Sequence, residues 1–597
     1  MLSVSIITIS HYDRKKFLEI LIKCIKKQTY KNIKEWIIID TSHTGYHKTN
    51  EDLEEFVQNY YLDTELPNIL YYKSKKENIG GWRNESSKLV SGDIIVCMDD
   101  DDYYPPERIS HAVEKLKDKK ALIAGCDKLF LYDIHFKKIY QCKGFGEMHS
   151  TNNCMAYWRE YLDNHKYDEL IHNAEENSFT DNFKIPMVQL DPDKTVLQFS
   201  HSNNTFNKKK IIISNYFLPP QAKYMLEKTI KLQEFINWEV YQDYEKLFNE
   251  LSKPRKSPYD IVYYMGISIP WSPHQEDLGG SEQAVKYLTM EWAKQGKKVA
   301  VYGRLTWNGN FAGVDYFDFS EFKFWDEFET LIFWRTFGTV PFLDFDIKAN
   351  KILVDMHDNI PAYHEQLFKN KNKITSWMVK SDFHREMVEI SIGQKIPNII
   401  PIPNGIKISD FLKESNLPRD PFRMCYCSNY ARGLYRILRY IWPIIYKLEP
   451  RSELHIYYGM EINSDPKFKE EMKKLLSQPG VMDHDRQPTR IINREKHLST
   501  FQFYYTDSLD EIDCISIRES LIAGCIPILS NINLFNYRDG IHLQWLPNTP
   551  DFNKQIACTV VELMHNTEIQ NTLRNELVKS NTIISWEECA HEWLKYI

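Results

Sequence analysis

The chain runs from the apolar stretch Asp93-Ile94-Ile95-Val96-Cys97 straight into Met98-Asp99-Asp100-Asp101-Asp102-Tyr103-Tyr104-Pro105-Pro106, and no other feature restricts its fold so sharply. A short run rich in β-branched residues and bounded by polar ones reads as a buried strand. Four adjacent carboxylates at its carboxyl end repel one another and raise each other's pKa unless a cation compensates them. Two arrangements answer that demand. One is a solvated acidic turn, the usual fate of a charge run. The other is a hard divalent cation: Mg²⁺ or Mn²⁺ held by one or two carboxylates keeps positions open for phosphate oxygens, which points to a diphosphate-bearing substrate.

Other pieces fall around this strand. Val4-Ser5-Ile6-Ile7-Thr8-Ile9-Ser10 reads as a buried first strand and Trp36-Ile37-Ile38-Ile39-Asp40 as a second. In a doubly wound sheet ligands sit beyond the strand carboxyl ends, which puts Asp40 where a base or ribose is read. In Asn78-Ile79-Gly80-Gly81-Trp82-Arg83-Asn84 the glycines permit close approach of backbone to a ligand, and Arg83 offers a fork of donors. Taken in order, the strand ending in Asp-x-Asp, the aromatic, Pro and Arg108 after it, Asp40 and the Gly-Gly stretch resemble the GT-A glycosyltransferases, in particular the inverting family 2 that uses nucleotide-sugars. The resemblance implies donor contacts from Asp40, Arg83, Asp99 and Asp100, and a Mn²⁺ or Mg²⁺ ion on Asp99 and Asp101, with Asp101 the direct ligand. Inversion needs a carboxylate to take the acceptor proton. The family's acidic pair matches His172-Asn173-Ala174-Glu175-Glu176-Asn177, with Glu-Glu in place of the commoner Glu-Asp. Glu176 is the expected base, with Glu175 beside it. His201, in Phe199-Ser200-His201-Ser202, stands where relatives carry a histidine at the metal or diphosphate.

At 597 residues the chain is too long for one core. Two prolines in Lys253-Pro254-Arg255-Lys256-Ser257-Pro258 mark a linker. Before it, residues from about Gln221 to Leu251 show apolar positions near helical spacing. The net charge of −7 speaks against general affinity for nucleic acid or anionic membranes, Lys208-Lys209-Lys210 being a local basic patch. Eleven cysteines without metal-type spacing read as reduced thiols of a cytoplasmic compartment, with peripheral attachment to a membrane left open. No apolar run reaches the roughly 18 residues of a transmembrane segment.

After the linker a new α/β pattern begins at Asp260-Ile261-Val262-Tyr263-Tyr264-Met265, with strand-like runs at 298–302, 330–334 and 351–355. Leu278-Gly279-Gly280-Ser281-Glu282 enters an amphipathic helix, whose amide groups make a ready phosphate site. Further on, Met424-Cys425-Tyr426-Cys427-Ser428-Asn429-Tyr430-Ala431-Arg432-Gly433-Leu434 reads as a strand and loop, and Glu511 and Glu519, with seven residues between them, stand before Ala523-Gly524-Cys525. These segments resemble the GT-B glycosyltransferases, especially the retaining family 4. The resemblance implies donor contacts from Gly279, Gly280, Ser428, Arg432 and Gly433, with Glu511 near the transferred sugar and Glu519 on the ribose hydroxyls. Relatives carry a second cation where Cys427 stands, so Lys380 or Arg436 is expected to supply charge. His357 is placed near a sugar, and Trp586-Glu587 opens a helix packing back on the first lobe.

The expectation is therefore an α/β chain of four parts: a GT-A domain over 1–218, a helical connector and linker over 219–257, a GT-B first lobe over 258–402 and a donor-binding lobe over 403–597. It is expected to transfer sugars from UDP- or GDP-sugars to a glycan or other hydroxyl acceptor, with metal required in the first module and no cofactor in the second. The modules are expected to act in sequence on a growing glycan. The rival expectation is one active module fused to a catalytically dead nucleotide-sugar or glycan-binding one. A nucleotidyltransferase needs a glycine-rich loop after the first strand, and Ser10-His11-Tyr12-Asp13-Arg14 has no glycine.

Overall fold

A computed structural model describes residues 1–597 except 46–48, 172–173, 205, 219, 277, 337–338, 360–363, 413–416 and 461–464. His172 and Asn173, quoted above, and residue 219, where the connector is expected to begin, lie outside the described residues. Residues 1–254 and 255–597 form two compact units.

The strands of the first unit are β1 (Val4–Ser10), β2 (Ile33–Asp40), β3 (Asn68–Lys73), β4 (Ile94–Cys97), β5 (Ile123–Gly125), β6 (Phe130–Asp133), β7 (Lys138–Cys142), β8 (Ala156–Trp158), β9 (Met187–Gln189), β10 (Leu197–Ser200) and β11 (Met225–Lys228). Seven of them make one sheet in the order β3-β2-β1-β4-β8-β5-β9. β1 pairs in parallel with β2 on one side and β4 on the other, so the chain changes direction across the sheet between them. The carboxyl ends of β1 and β4 therefore flank the topological switch point, where such sheets bind ligands. Helix Lys15–Lys26 buries Phe17, Leu18, Leu21, Ile22 and Ile25, an apolar stripe at helical spacing. Each such fully buried side chain contributes about 1.5–3 kcal/mol.

A smaller sheet, β10-β6-β7-β11, adjoins the site. Side chains alternate across β6. Phe130 meets Phe235, and Tyr132 meets Phe199 and Phe248, so Leu129 and Leu131 point the other way. The helix expected over 221–251 is corrected here. Met225–Lys228 is a strand antiparallel to β7, and the long helix is Trp238–Leu251, capped by Asn237. Asn215 fixes the strand by accepting from the Tyr224 and Met225 amides, both at 2.9 Å, and Met225 is buried while Leu226 is exposed. Tertiary pairing overrides a local helical pattern at these residues. Both elements belong to the first unit.

The second unit has two parallel sheets. The first contains β12 (Ile261–Trp271), β13 (Val299–Leu305), β14 (Gly309–Phe311), β15 (Val314–Asp318), β16 (Glu327–Trp334), β17 (Lys348–Asp355), β18 (Ser376–Val379) and β19 (Ile399–Pro401), ordered β14-β15-β13-β12-β16-β17-β18-β19. Only the β14–β15 hairpin is antiparallel, and its two-residue turn puts Ala312 and Gly313 at φ 52° and 85°, as a turn matching strand twist requires. The second contains β20 (Asp420–Cys427), β21 (Glu453–Tyr457), β22 (Val481–Asp483), β23 (Ser499–Tyr504), β24 (Ile526–Ser530) and β25 (Ile541–Leu543), ordered β22-β21-β20-β23-β24-β25. That is the doubly wound order of a dinucleotide-type lobe. Helix Trp586–Leu594, opened by a Ser585–Glu588 capping box, returns to the first lobe. Trp292 donates to the Ala590 carbonyl at 3.2 Å, and Trp586 and Trp593 lie in that lobe's core. The architecture is α/β throughout, with one seven-stranded and one four-stranded sheet in the first unit and an eight-stranded and a six-stranded sheet in the second.

Candidate active site

The four aspartates diverge. Asp100 turns inward, wholly buried, to accept from Ser10 at 2.6 Å and pair with Arg14 at 2.9 Å. Asp102 also turns inward, accepting from the Phe199 amide at 3.1 Å and from Asn153, with Lys208 at 3.7 Å. Burial pushes both carboxyls up to about 7. Asp99 and Asp101 instead line a cavity of about 410 Å³ at the switch point. Burial alone would raise Asp101; Arg14 at 3.3 Å, His201 and Lys208 outweigh it and hold the carboxyl well below the usual range. The compensating charge expected from a metal is thus supplied in large part by Arg14, Arg83 and Lys208. Asp100, expected at the donor, does not line the cavity.

Asp99 and Asp101 each keep one oxygen without a hydrogen bond among the described residues, since Arg83 takes Asp99 Oδ1 and Asn204, Arg14 and His201 share Asp101 Oδ2. No group of three or more His, Cys, Asp or Glu side chains converges as a metal cage among the described residues. Two carboxylate oxygens fit a divalent ion that takes its remaining ligands from phosphate and water. His201 fits the ligand role less well. Its Nδ1 accepts from the Asn203 amide at 3.1 Å, so the neutral ring carries its proton on Nε2, which faces Asp101 at 3.3 Å. As drawn, His201 is a donor to the aspartate.

Glu175 and Glu176 face the same cavity, Glu176 opening the short helix Glu176–Phe179. Arg83, buried in helix Ile79–Ser87, reaches Asp99 at 2.9 Å and lies 3.5 Å from Glu175, tying the two acidic segments together. Burial, then the Glu175 charge, pushes the Glu176 carboxyl up to about 7. Asp40 is not brought into the cavity. It accepts from Ser42, from the Leu53 amide at 2.8 Å and from Tyr71, which occupies both of its oxygens; Ser10, His11 and Thr41 line the wall there instead. Gly80 serves packing: a Cβ there would lie 2.1 Å from the Asp168 carbonyl oxygen. Arg108 braces strands, donating to the Cys154 and Met155 carbonyls at 3.0 and 2.9 Å.

In the second unit, Gly279 caps helix Gly280–Lys294, and a Cβ on Gly280 would sit 3.8 Å from Ile515, the first residue of helix Ile515–Ala523. The two helix starts thus lie close together, and helix starts are where anions bind. Glu511 is buried under Tyr504, which donates at 2.6 Å, Ser428 at 3.3 Å and Arg432. Gly433 takes φ 92°, and a Cβ there would meet the Tyr505 carbonyl at 2.6 Å. Glu519 pairs with the fully buried Lys496. Neither expected auxiliary cation is available: Lys380 pairs with Asp355, and Arg436 donates to the Leu546 carbonyl at 2.7 Å while stacking on Trp545. His357 also faces Asp355, at 3.1 Å.

Sequence reasoning missed Arg14, Lys208, Tyr504 and Lys496, and with them Asp127 and His149 in the first cavity. For Arg14 a signal existed, a cation four residues past the end of β1. Asp513, which takes Arg518 at 2.7 Å, Arg538 at 3.0 Å and the Asn404 amide at 3.1 Å, was hidden inside the stretch bounded by Glu511 and Glu519.

The first unit's sheet thus gathers Asp99, Asp101, Arg14, Arg83 and Lys208 around a cavity at its switch point, where such sheets bind ligands. Residues 5–165 match the family described as Glycosyl transferase family 2, and the chain is a glycosyltransferase with that domain in its first unit. No curated protein matches the chain. Among solved structures, the pneumococcal O-GlcNAc transferase GtfA in complex with UDP and GlcNAc is similar at 12% identity and a TM-score of 0.45, covering 57% of this chain and 98% of its own. Anabaena HepE in complex with UDP and glucose shows 9% identity, a TM-score of 0.42 and coverage of 56% and 98%. Sucrose-phosphate synthase from Thermosynechococcus elongatus shows 12%, 0.44, and 56% and 98%. Among the described residues no helix is long and apolar enough to cross a membrane.

Proposed function

We propose that the first unit transfers a sugar with inversion from a nucleotide-sugar, and that Glu176 is its base. The single observation that supports this most is a carboxyl pushed up to about 7 in the same cavity as Asp99, Asp101 and Arg83. A base at that value is about half ionised at neutral pH, and its ionised form accepts a hydroxyl proton as the bond forms. Arg14 and Lys208 add positive charge beside the place where a diphosphate leaves. Asp99 and Asp101 would hold Mn²⁺ or Mg²⁺, which when bound supplies further charge to the leaving diphosphate. The domain limits we take are 1–254 for this module, 258–402 and 403–597 for the lobes of the second.

For the second unit we propose retaining, metal-independent transfer, with Gly279, Gly280, Arg432, Gly433 and Ser428 around the donor diphosphate, Glu511 at the sugar and Glu519 at the ribose. One observation favours the second reading, a binding module without turnover: Arg432 is paired with Glu511, and Lys380 and Arg436 have partners elsewhere. Silencing one module at a time in the full chain decides. Donor turnover is followed in Asp101→Asn and Glu519→Gln variants, with and without Mn²⁺. If the metal-dependent turnover survives Asp101→Asn, the first assignment is wrong; if no turnover remains in that variant, the second unit is a binding module.

A further inference from the structure

The cavity of the first unit has a flank that the donor chemistry leaves unused. Its floor is one face of the smaller sheet: Leu129 just before β6 and Leu131 within it, Cys142 from β7, Tyr224 and Met225 at β11, closed by Ile211. At the mouth stands His149. Its Nδ1 lies 2.9 Å from Asp127 Oδ1, and Asp127 is itself fixed by the Phe145 and Gly146 amides at 2.7 and 3.0 Å. Gln189 braces both residues, accepting from the Asp127 amide at 2.9 Å and donating to the His149 carbonyl at 3.1 Å. The ring is packed between Phe145 and Phe183, with centroids 4.9 and 4.5 Å away. An ionised carboxylate can only accept, so Nδ1 carries the proton and Nε2 presents a lone pair. Both Asp127 and His149 line the cavity that holds Glu175 and Glu176.

We propose that the Asp127–His149 pair and this apolar floor form the acceptor subsite, for a glycoside that carries an apolar group next to its sugar: a hydroxyl donates to His149 Nε2 while the apolar group lies on Leu129 and Leu131. A bare oligosaccharide would leave its hydroxyls unpaired against that floor, whereas an apolar aglycone gains from burial there. The inference rests on the reading of this cavity as the transfer site.

The test uses the full chain and calorimetry with octyl and methyl β-glycosides of glucose, galactose and mannose, below the micelle concentration of the octyl compounds. UDP and GDP binding with Mn²⁺ is measured in parallel. In at least one pair the octyl glycoside should bind about tenfold tighter or more, because two buried methylenes suffice for that factor. Leu131→Asn should bring the octyl compound down to the methyl level without changing nucleotide binding, with Ile211→Asn as second wall variant if Leu131→Asn loses its melting transition. His149→Ala should weaken both members of the pair alike, by about three- to tenfold. Equal binding within every pair, no glycoside binding, or indifference to both wall and His149 substitutions overturns the proposal. Failure of the donor reading shows separately, as glycoside binding without nucleotide binding.

Discussion

The two units handle buried acid in opposite ways. In the first, four carboxylates are concentrated at one strand end and balanced by Arg14, Arg83 and Lys208, which come from three separate segments. In the second, each signature glutamate has one cation of its own, Arg432 for Glu511 and Lys496 for Glu519. The clustered design leaves Asp99 and Asp101 with open oxygens toward a cavity, while in the paired design the cation sits on one oxygen of each glutamate, Glu511 Oε1 and Glu519 Oε2. The contrast is the physical ground for proposing a divalent ion at one site and helix ends with side-chain cations at the other.

The largest expected effect breaks the comparison at its metal side. Asp101→Asn, or chelation of Mn²⁺, should lower donor turnover at the first site by about 10² to 10³, by analogy with loss of a charge-stabilising group, and leave the second site unchanged. Steady-state assays with and without EDTA check this. Glu176→Gln should cost about 10² to 10⁴ in kcat with little change in donor KM. The same residue sets a pH test. Because its carboxyl is raised to about 7 and must be ionised to act, kcat/KM should climb as pH rises through 7 and level off above it, and a flat profile between 5 and 9 would exclude Glu176 as the base. In the second unit, Glu519→Gln leaves Lys496 buried without its counter-charge and should destabilise that unit by about 3 kcal/mol, read as a lowered melting transition with the first unit's transition unmoved. Smallest is Ser585→Ala, which removes a helix cap at about 1 kcal/mol.

How legible each unit was follows from the range of its contacts. Strand Val4–Ser10 and the strand ending at Asp40 were readable because a parallel core strand is a continuous apolar run, whatever its neighbours. The division of Asp99 and Asp101 from Asp100 and Asp102 was not readable, since these residues turn beyond the end of β4 and which of them face the opening depends on Arg14 and Asn153, 86 and 51 residues away. Asp40 shows the limit most plainly. A strand-end carboxylate is correctly located by topology, yet Leu53 and Tyr71 claim it, and nothing near Asp40 in sequence announces them. The Asp127–His149 pair was invisible for the same reason, being made by a loop that folds back over β6.

Helix Trp586–Leu594 carries one more consequence. Trp292 and Ala590 are 298 residues apart in the chain, with the whole second lobe between them. During synthesis the first lobe must therefore wait with an open core until the second has emerged, so the two lobes mature as one event. A cut between residues 577 and 586 should expose Trp292 and Trp593 to the holdases that patrol nascent chains, and the lobe synthesised earlier would be the one that fails.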